Sequence, residues 1–288
     1  MKKVVTIVGP TASGKTSLSI KLAKKFNAEI INGDSVQIYK ELNIGSAKIK
    51  SAEMENIKHH LFDVVSVNDN FSVFNYQKLV REKLNEINKP FIVGGTGLYI
   101  KAALFDYEFN EPGRDKTLEL ELANLTNEKI YEKLLKLDPN IKLEVNNRRR
   151  LIRAYEQAKY GELRSEKIKK DNELYNILTI YLDLDRKELE KRLIERLDKQ
   201  LADGFIEEVR SINKPINAIG YRELYQHINN EYTLDEAKEK IITASKRLAK
   251  KQKTWFKNQM HAHILDALSP TLYEDACKLI EGFLWIYI

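Results

Sequence analysis

The chain has 288 residues, 43% of them hydrophobic and 31% charged, enough to bury one large core or a main domain plus a smaller one. Lys and Arg total 48 against 42 Asp and Glu, a net charge of +6 that favours anionic partners. A single cysteine, Cys277, excludes an internal disulfide and any cysteine-rich zinc site and suits a reducing, cytoplasmic compartment, and no apolar run reaches the roughly 18 residues of a membrane helix.

Val4 to Val8 reads as a short buried strand, which excludes a signal peptide in "MKKVVTIVG". "GPTASGKT" follows, in which Gly9, Gly14, Lys15 and Thr16 fit G-x-x-x-x-G-K-[ST]; then Leu18, Leu22 and Phe26 recur at helical spacing. A loop between a strand end and a helix start is where a phosphate cradle belongs. The glycines let the loop of Gly9, Pro10, Thr11, Ala12, Ser13 and Gly14 turn tightly so that backbone N–H groups point inward, the helix N-terminus adds positive potential, Lys15 supplies a full charge and Thr16 would hold Mg²⁺. The motif carries a nucleotide- and ATP-binding expectation but leaves open whose phosphate is held.

"AEIINGDS" suggests a second strand ending at Asp34, and "PFIVGGTGLY" repeats strand, glycine turn and helix, the helix starting at about Leu98. Alternation of this kind predicts an α/β fold, a parallel sheet flanked by helices on both faces, with ligands beyond the carboxyl ends of the strands, where Gly14, Asp34 and Thr96 fall. Asp34 could hold a metal through water, act as a general base, or cap the following turn. Gln37 and Tyr39 suit reading and stacking a base, or are ordinary surface residues. His59 and His60 have no matching ligand pattern and read as structural.

From about residue 110 the chain is charged, helix-periodic and free of strand signals until "NILTIYLDL", residues 176 to 184. This divides it into a core of residues 1–109 and 175–288 and an inserted all-helical subdomain of residues 110–174. "RKELEKRLIERLDKQLADGFIEEVRSI" is a helix broken near Gly204. On it Arg192 and Arg196 are solvated partners for Glu188 or Glu195, or clamps if a phosphate lies near. A last long helix runs from about Leu234 to Asn258, with Ile241, Ser245, Leu248, Gln252 and Trp255 as its less polar stripe and Lys246, Arg247, Lys250, Lys251, Lys253 and Lys257 on the other side. "FLWIYI" at the end reads as a packing segment. The basic run "RRRLIR" and the lysine-rich helix each suit a solvated face; together, with Trp255 and Phe256, they suit a polyanion footprint.

"GPTASGKT", "GDSVQIY", "HHLFDV", "GGTGLY", "NNRRRLIRAYE", "LADGFIEEV", "AIGYREL" and "AKKQKTWF" occur in the order and spacing of the tRNA dimethylallyltransferases, the IPP transferase family, which the chain resembles from about Lys3 to Gln259. The resemblance implies a P-loop NTPase-like catalytic core. It implies transfer of the dimethylallyl group from dimethylallyl diphosphate to N6 of the adenosine 3′ of the anticodon in tRNA, with diphosphate released and Mg²⁺ required. The glycine loop then holds the diphosphate, with Lys15 and, through Mg²⁺, Thr16. Asp34 accepts the amine proton, and Thr96 and Arg196 complete the catalytic set. The RNA would be bordered by Asp34, Ser35, Val36, Gln37, Thr96, Arg149, Arg150, Arg153, Gly220, Tyr221, Arg222, Lys246, Arg247, Lys250 and Lys251, and the insertion would pack on the anticodon stem. A monomer in the cytoplasm, with no membrane partner, completes the expectation. The chain departs from the family in a shortened region after Tyr107, where Arg114 is the candidate for a commonly present arginine. It also has Ser245 and Lys246 where threonine and arginine are usual, a loss of bidentate geometry, and a tail beyond residue 260 outside the resemblance. Rival readings are a prenyltransferase acting on free adenylate, which would not need the basic patches, a small-molecule kinase, and a non-catalytic RNA-binding module.

Overall fold

The computed structural model describes residues 1–107, 115–166 and 172–285. The chain forms two compact units, Met1–Tyr107 with Asn172–Ile288, and Glu108–Asp171.

The larger unit is built on a six-stranded parallel sheet of β1 (Lys3–Val8), β2 (Glu29–Gly33), β3 (His59–His60), β4 (Pro90–Gly94), β5 (Asn176–Asp183) and β6 (His263–Asp266), in the order β3-β2-β4-β1-β5-β6. Strands covered on both faces read as continuous apolar runs. In β1 the alternation assigns Val4 and Val8 to one core and Val5 and Ile7 to the other. Thr6, fully buried in the same strand, is satisfied by donating to Thr179 Oγ1 of β5 at 2.9 Å.

Helices α1 (Lys15–Phe26), α2 (Val73–Glu86) and α3 (Gly97–Leu104) connect the first strands. Leu22 and Phe26 of α1 join the Val5 core, whereas Tyr76 and Val80 of α2 and Ile100 of α3 join the Val4 core. Ser72 caps α2, its Oγ accepting the Asn75 N–H while Asn75 Oδ1 accepts the Ser72 N–H at 3.0 Å.

The smaller unit holds α4 (Lys116–Ala123), α5 (Asn127–Leu137) and α6 (Arg148–Lys159) around its own core of Leu118, Leu122, Ile130, Leu134, Leu151 and Ala154. Thr126 and Asn147 cap α5 and α6, and the Arg148 guanidinium donates to the Leu122 and Leu125 carbonyls, 2.6 Å each, at the end of α4. Arg114 lies outside the described residues.

The larger unit continues through α7 (Arg186–Ala202), α8 (Phe205–Ile212), α9 (Tyr221–Ile228), α10 (Leu234–Met260) and α11 (Leu272–Trp285). Gly204 makes the predicted break between α7 and α8 with a left-handed φ of 99°. The capping box of Thr233 and Glu236 starts α10 where the sequence placed it. Its buried face differs from the predicted stripe: Leu248 is 44% exposed, and the buried positions are Ala237, Ile241, Ala249, Phe256 and Met260. The reason is that the 27-residue helix serves three separate clusters in succession, with alanines in two of them, so no single stripe runs its length. β3, α2, α9, β6 and α11 have no counterpart among the predicted elements. Phe283 and Leu284 of the terminal segment pack half-buried on the second core, as expected of a packing segment, and its last three residues lie outside those described. Among the described residues no helix is long and apolar enough to cross a membrane.

Candidate active site

Three chain segments leave the carboxyl edge of the sheet side by side: the loop after β1, Asp34 after β2, and Gly95–Thr96 after β4. β2 and β4 come together closely there. A Cβ on Gly94 would lie 2.1 Å from the Gly33 carbonyl carbon, so only glycine fits.

The loop is tightly folded. Gly9 passes so near β5 that a Cβ would meet the Leu182 carbonyl oxygen at 2.7 Å. Ala12 and Gly14 take left-handed φ angles of 65° and 84°, a strain that an alanine tolerates only where the surroundings impose it. Ser13 is 1% exposed, and its Oγ is a buried polar atom without a hydrogen-bond partner. An orphaned hydroxyl inside a glycine loop is a polar group prepared for a ligand. Lys15 Nζ donates to the Pro10 carbonyl at 2.6 Å. Burial, reinforced by the nearby Arg196 guanidinium and opposed by Asp34, pushes the Lys15 ammonium down to about 8. The Thr16 side chain is exposed at the first turn of α1.

Asp34 is held from its backbone outward. Asn32 Oδ1 accepts the Asp34 N–H at 2.9 Å, and Asn32 Nδ2 donates to the Asp34 and Leu61 carbonyls at 3.1 and 3.0 Å. Asp34 Oδ1 accepts the Val36 N–H at 2.8 Å, so the carboxylate caps the following turn with one oxygen. The Thr96 hydroxyl accepts the Ser35 N–H at 3.0 Å and donates to Ser35 Oγ at 3.2 Å, tying the third segment to the second. Tyr99 packs on Tyr76 with ring centroids 4.7 Å apart; burial first, then the Tyr39 and Asp34 charges, push its phenol up to about 12.

Of the α7 arginines Arg192 and Arg196, the first pairs with Glu188 at 2.7 Å, as the sequence suggested, and also donates to the Ala12 carbonyl in the loop at 3.4 Å. Arg196 pairs with neither glutamate. Its Nη2 donates to the Ser46 carbonyl at 3.3 Å, and burial, countered by Asp34, lowers its pKa. Sequence reasoning missed several supports of this site. Gln252 of α10 donates to the Gly95 carbonyl at 2.8 Å, and the Trp255 ring covers Gly97 so closely that a Cβ there would lie 2.3 Å from it. Gln252 and Trp255 stood on the predicted stripe, a signal for their inward direction but not for their targets.

The residues expected along RNA divide by exposure. Arg149 and Arg150 are exposed on α6 of the smaller unit, and Arg153 is half-buried and paired with Glu156 at 2.5 Å. Arg247, Lys250 and Lys251 are exposed along α10, while Lys246 is half-buried against Glu190 at 2.5 Å. Gln37 donates to the Ser46 carbonyl at 3.0 Å. Gly220 starts α9 at φ 91°, and Arg222 pairs with Glu223. Tyr221 requires a correction: it is 1% exposed and its hydroxyl donates to Glu208 at 2.7 Å, so the side chain has no surface to offer a polynucleotide. His59 and His60 form β3 and are satisfied by the Ile57 carbonyl and Glu29.

Among the described residues no three His, Cys, Asp or Glu side chains gather into a metal cluster. The donor set nonetheless fits Mg²⁺, which keeps several waters and takes few protein ligands beside phosphate oxygens; the exposed Thr16 hydroxyl at the loop's end is a donor of the kind it would take.

A parallel α/β sheet with a glycine loop, a half-buried lysine, an arginine and a carboxylate at its carboxyl edge has the geometry and charge that suit a phosphate-bearing ligand. The sequence profile of the IPP transferase family matches residues 37–259, and the chain belongs to that family. It is 52% identical to a tRNA dimethylallyltransferase of Acholeplasma laidlawii over 99% of this chain and 100% of that one. Among solved structures it resembles a tRNA delta(2)-isopentenylpyrophosphate transferase of Staphylococcus epidermidis, at 37% identity and a TM-score of 0.73 over 98% of this chain and 99% of that one. A eukaryotic dimethylallyltransferase described as acting on tRNA matches at 27% identity with a TM-score of 0.84, covering 98% of this chain and 78% of that one. The similarity to the Acholeplasma protein spans nearly the whole chain, so the tail beyond residue 260 is shared with relatives, contrary to the sequence reading.

Proposed function

We propose that the chain transfers the dimethylallyl group of dimethylallyl diphosphate to N6 of the adenosine 3′ of the anticodon in tRNA, releasing diphosphate. The observation that carries the reading is the convergence of Lys15 and Arg196, two like charges, with Asp34 at the loop holding the orphaned Ser13 hydroxyl. Two half-buried cations close together repel one another, and an anion bound between them relieves that repulsion. The names of the relatives point to the same reaction.

In this reading the loop's N–H groups, the α1 N-terminus and Lys15 bind the diphosphate, and Arg196 meets the charge that grows on it as the allylic C–O bond breaks. N6 of adenine attacks C1 of the allyl chain, the C–O electron pair leaves with the diphosphate, and the N6 proton passes to the Asp34 oxygen not committed to Val36. Thr96, fixed to Ser35, holds the segment carrying Asp34 in place beside the loop. Thr16 would hold Mg²⁺, whose chemistry is to neutralise charge on the diphosphate. The adenine must leave its stack to reach the site, at a cost of a few kcal/mol that is smaller in a single-stranded loop. Phosphate contacts from Arg247, Lys250 and Lys251, and from Arg149 and Arg150, offset that cost. The phosphate in the cradle is then the donor's rather than that of ATP, and the protein works as a cytoplasmic monomer.

Mass spectrometry of nucleosides after incubation with dimethylallyl diphosphate, Mg²⁺ and an anticodon hairpin tests the reading. Dimethylallyl adenosine is the expected product. Unconsumed donor alongside phosphoryl transfer from ATP would favour a kinase instead.

A further inference from the structure

We infer that Glu208 is a positioning residue for the diphosphate site, acting through the backbone of residues 43–46 on Arg196; the inference rests on the function proposed above. Glu208 lies in α8, apart from the glycine loop, within the "LADGFIEEV" stretch, none of whose residues has been given a part in the chemistry. Its carboxylate nevertheless collects four donors. Oε2 accepts the N–H groups of Asn43 and Ile44 at 3.0 and 2.7 Å, and Oε1 accepts the Gly45 N–H at 3.1 Å and the Tyr221 hydroxyl at 2.7 Å. Bonds to an ionised carboxylate are among the stronger hydrogen bonds a protein makes.

The same stretch is held from its other side. Gln200 of α7 donates to the Ile44 and Gly45 carbonyls at 2.6 and 3.0 Å. Gly45 is enclosed by aromatic rings, so that a Cβ would lie 2.1 Å from Phe205 Cε2 and 2.7 Å from Tyr221 Cε2. The backbone at 44–45 is therefore fixed through its N–H groups, its carbonyls and its packing.

One residue further on, the Ser46 carbonyl accepts from Arg196 Nη2 at 3.3 Å and from Gln37 Nε2 at 3.0 Å. The guanidinium lies near the Lys15 ammonium, which repels it, and near Asp34, which attracts it, and a long side chain keeps one position at least cost where a fixed acceptor holds it. The Ser46 carbonyl is that fixed acceptor, and Glu208 with Gln200 fixes the carbonyl. An arginine held in place before the ligand arrives spends less binding energy on ordering itself. Glu208→Gln keeps the size of the side chain but replaces one acceptor oxygen by a donor nitrogen, so at least one of the two arms must let go.

The test is calorimetric binding of inorganic pyrophosphate with Mg²⁺ to the full chain, in wild type, Glu208→Gln, Arg196→Ala and the double variant, with Gln200→Ala as a second route to the same loosening. Glu208→Gln is expected to weaken pyrophosphate about tenfold, and the double variant to bind no more weakly than Arg196→Ala alone, because residues acting through one another are not additive. A role confined to stability would shift the melting temperature and leave the cycle additive. Additive losses, or unchanged affinity in Glu208→Gln, overturn the inference; if Glu208→Gln does not fold, the same comparison with Gln200→Ala decides. A wild-type protein that does not bind pyrophosphate overturns the diphosphate reading itself, and the inference with it.

Discussion

Lys15 lies where a lysine is unfavourable for folding and, on the proposed function, necessary for binding, so its removal separates the two. The descent of its pKa from 10.5 to about 8 corresponds to a penalty on the charged form of about 3 kcal/mol. The side chain is half-buried rather than sealed, and screening by water reduces this to about 1.5 kcal/mol. Loss of the bond to the Pro10 carbonyl takes back about 0.5–1 kcal/mol. Lys15→Met is thus expected to stabilise the unliganded protein near neutral pH by roughly 0.5–1 kcal/mol, a rise of about 1–3 °C in Tm for a chain of this size. Below about pH 8 Lys15 is protonated in both states, and the wild type carries the whole penalty. Between about 8 and 10.5 the unfolded chain binds more protons than the folded one, so wild-type stability rises relative to the variant and the gap closes. Pyrophosphate affinity, which needs the ammonium, falls above about pH 8 in the wild type and is low at every pH in the variant. Thermal melts and calorimetry across this range measure both effects. A variant no more stable than wild type, or a stability gap that stays constant up to about pH 10, would refute the reasoning.

Three further outcomes are expected. Asp34→Asn keeps an acceptor for the Val36 N–H but cannot take a proton, and it should lower turnover by about 10²- to 10⁴-fold with RNA affinity retained; single-turnover kinetics at wild-type speed would remove Asp34 as the base. Replacing exposed Lys250 and Lys251 by alanine should weaken anticodon-hairpin binding and lower the slope of log affinity against log salt by about 1 to 2, and an unaltered slope would rule out that face of α10. Gly94→Ala drives a methyl onto the Gly33 backbone, which cannot rotate away, and should destabilise the protein by at least about 3 kcal/mol, read as lost soluble expression or a sharply lowered denaturation midpoint.

The sequence by itself determined the parts of this protein that are local. Strand β1, the glycine loop and α1 follow from an apolar run, glycines at a fixed spacing and a helical repeat, all within 26 residues of one another. The break at Gly204 and the start of α10 at Thr233 follow from a residue free to adopt positive φ and from a capping box. Asp34, Thr96 and the loop could be assigned to one edge of the sheet because a parallel α/β order places all the strand ends there. Only the tertiary structure decided what acts across distance in the chain. The two-residue β3 and four-residue β6 carry too few side chains to show a period and exist because neighbouring strands offer them hydrogen bonds. Arg196 reads as one of two arginines on a polar helix face, and Tyr221 as part of an RNA-facing motif. The fold turns the first onto the Ser46 carbonyl and buries the second under Glu208. Local propensity and spacing are written in neighbouring residues, whereas the partner of a charge or an aromatic ring depends on packing between segments that the chain brings together only once it has folded.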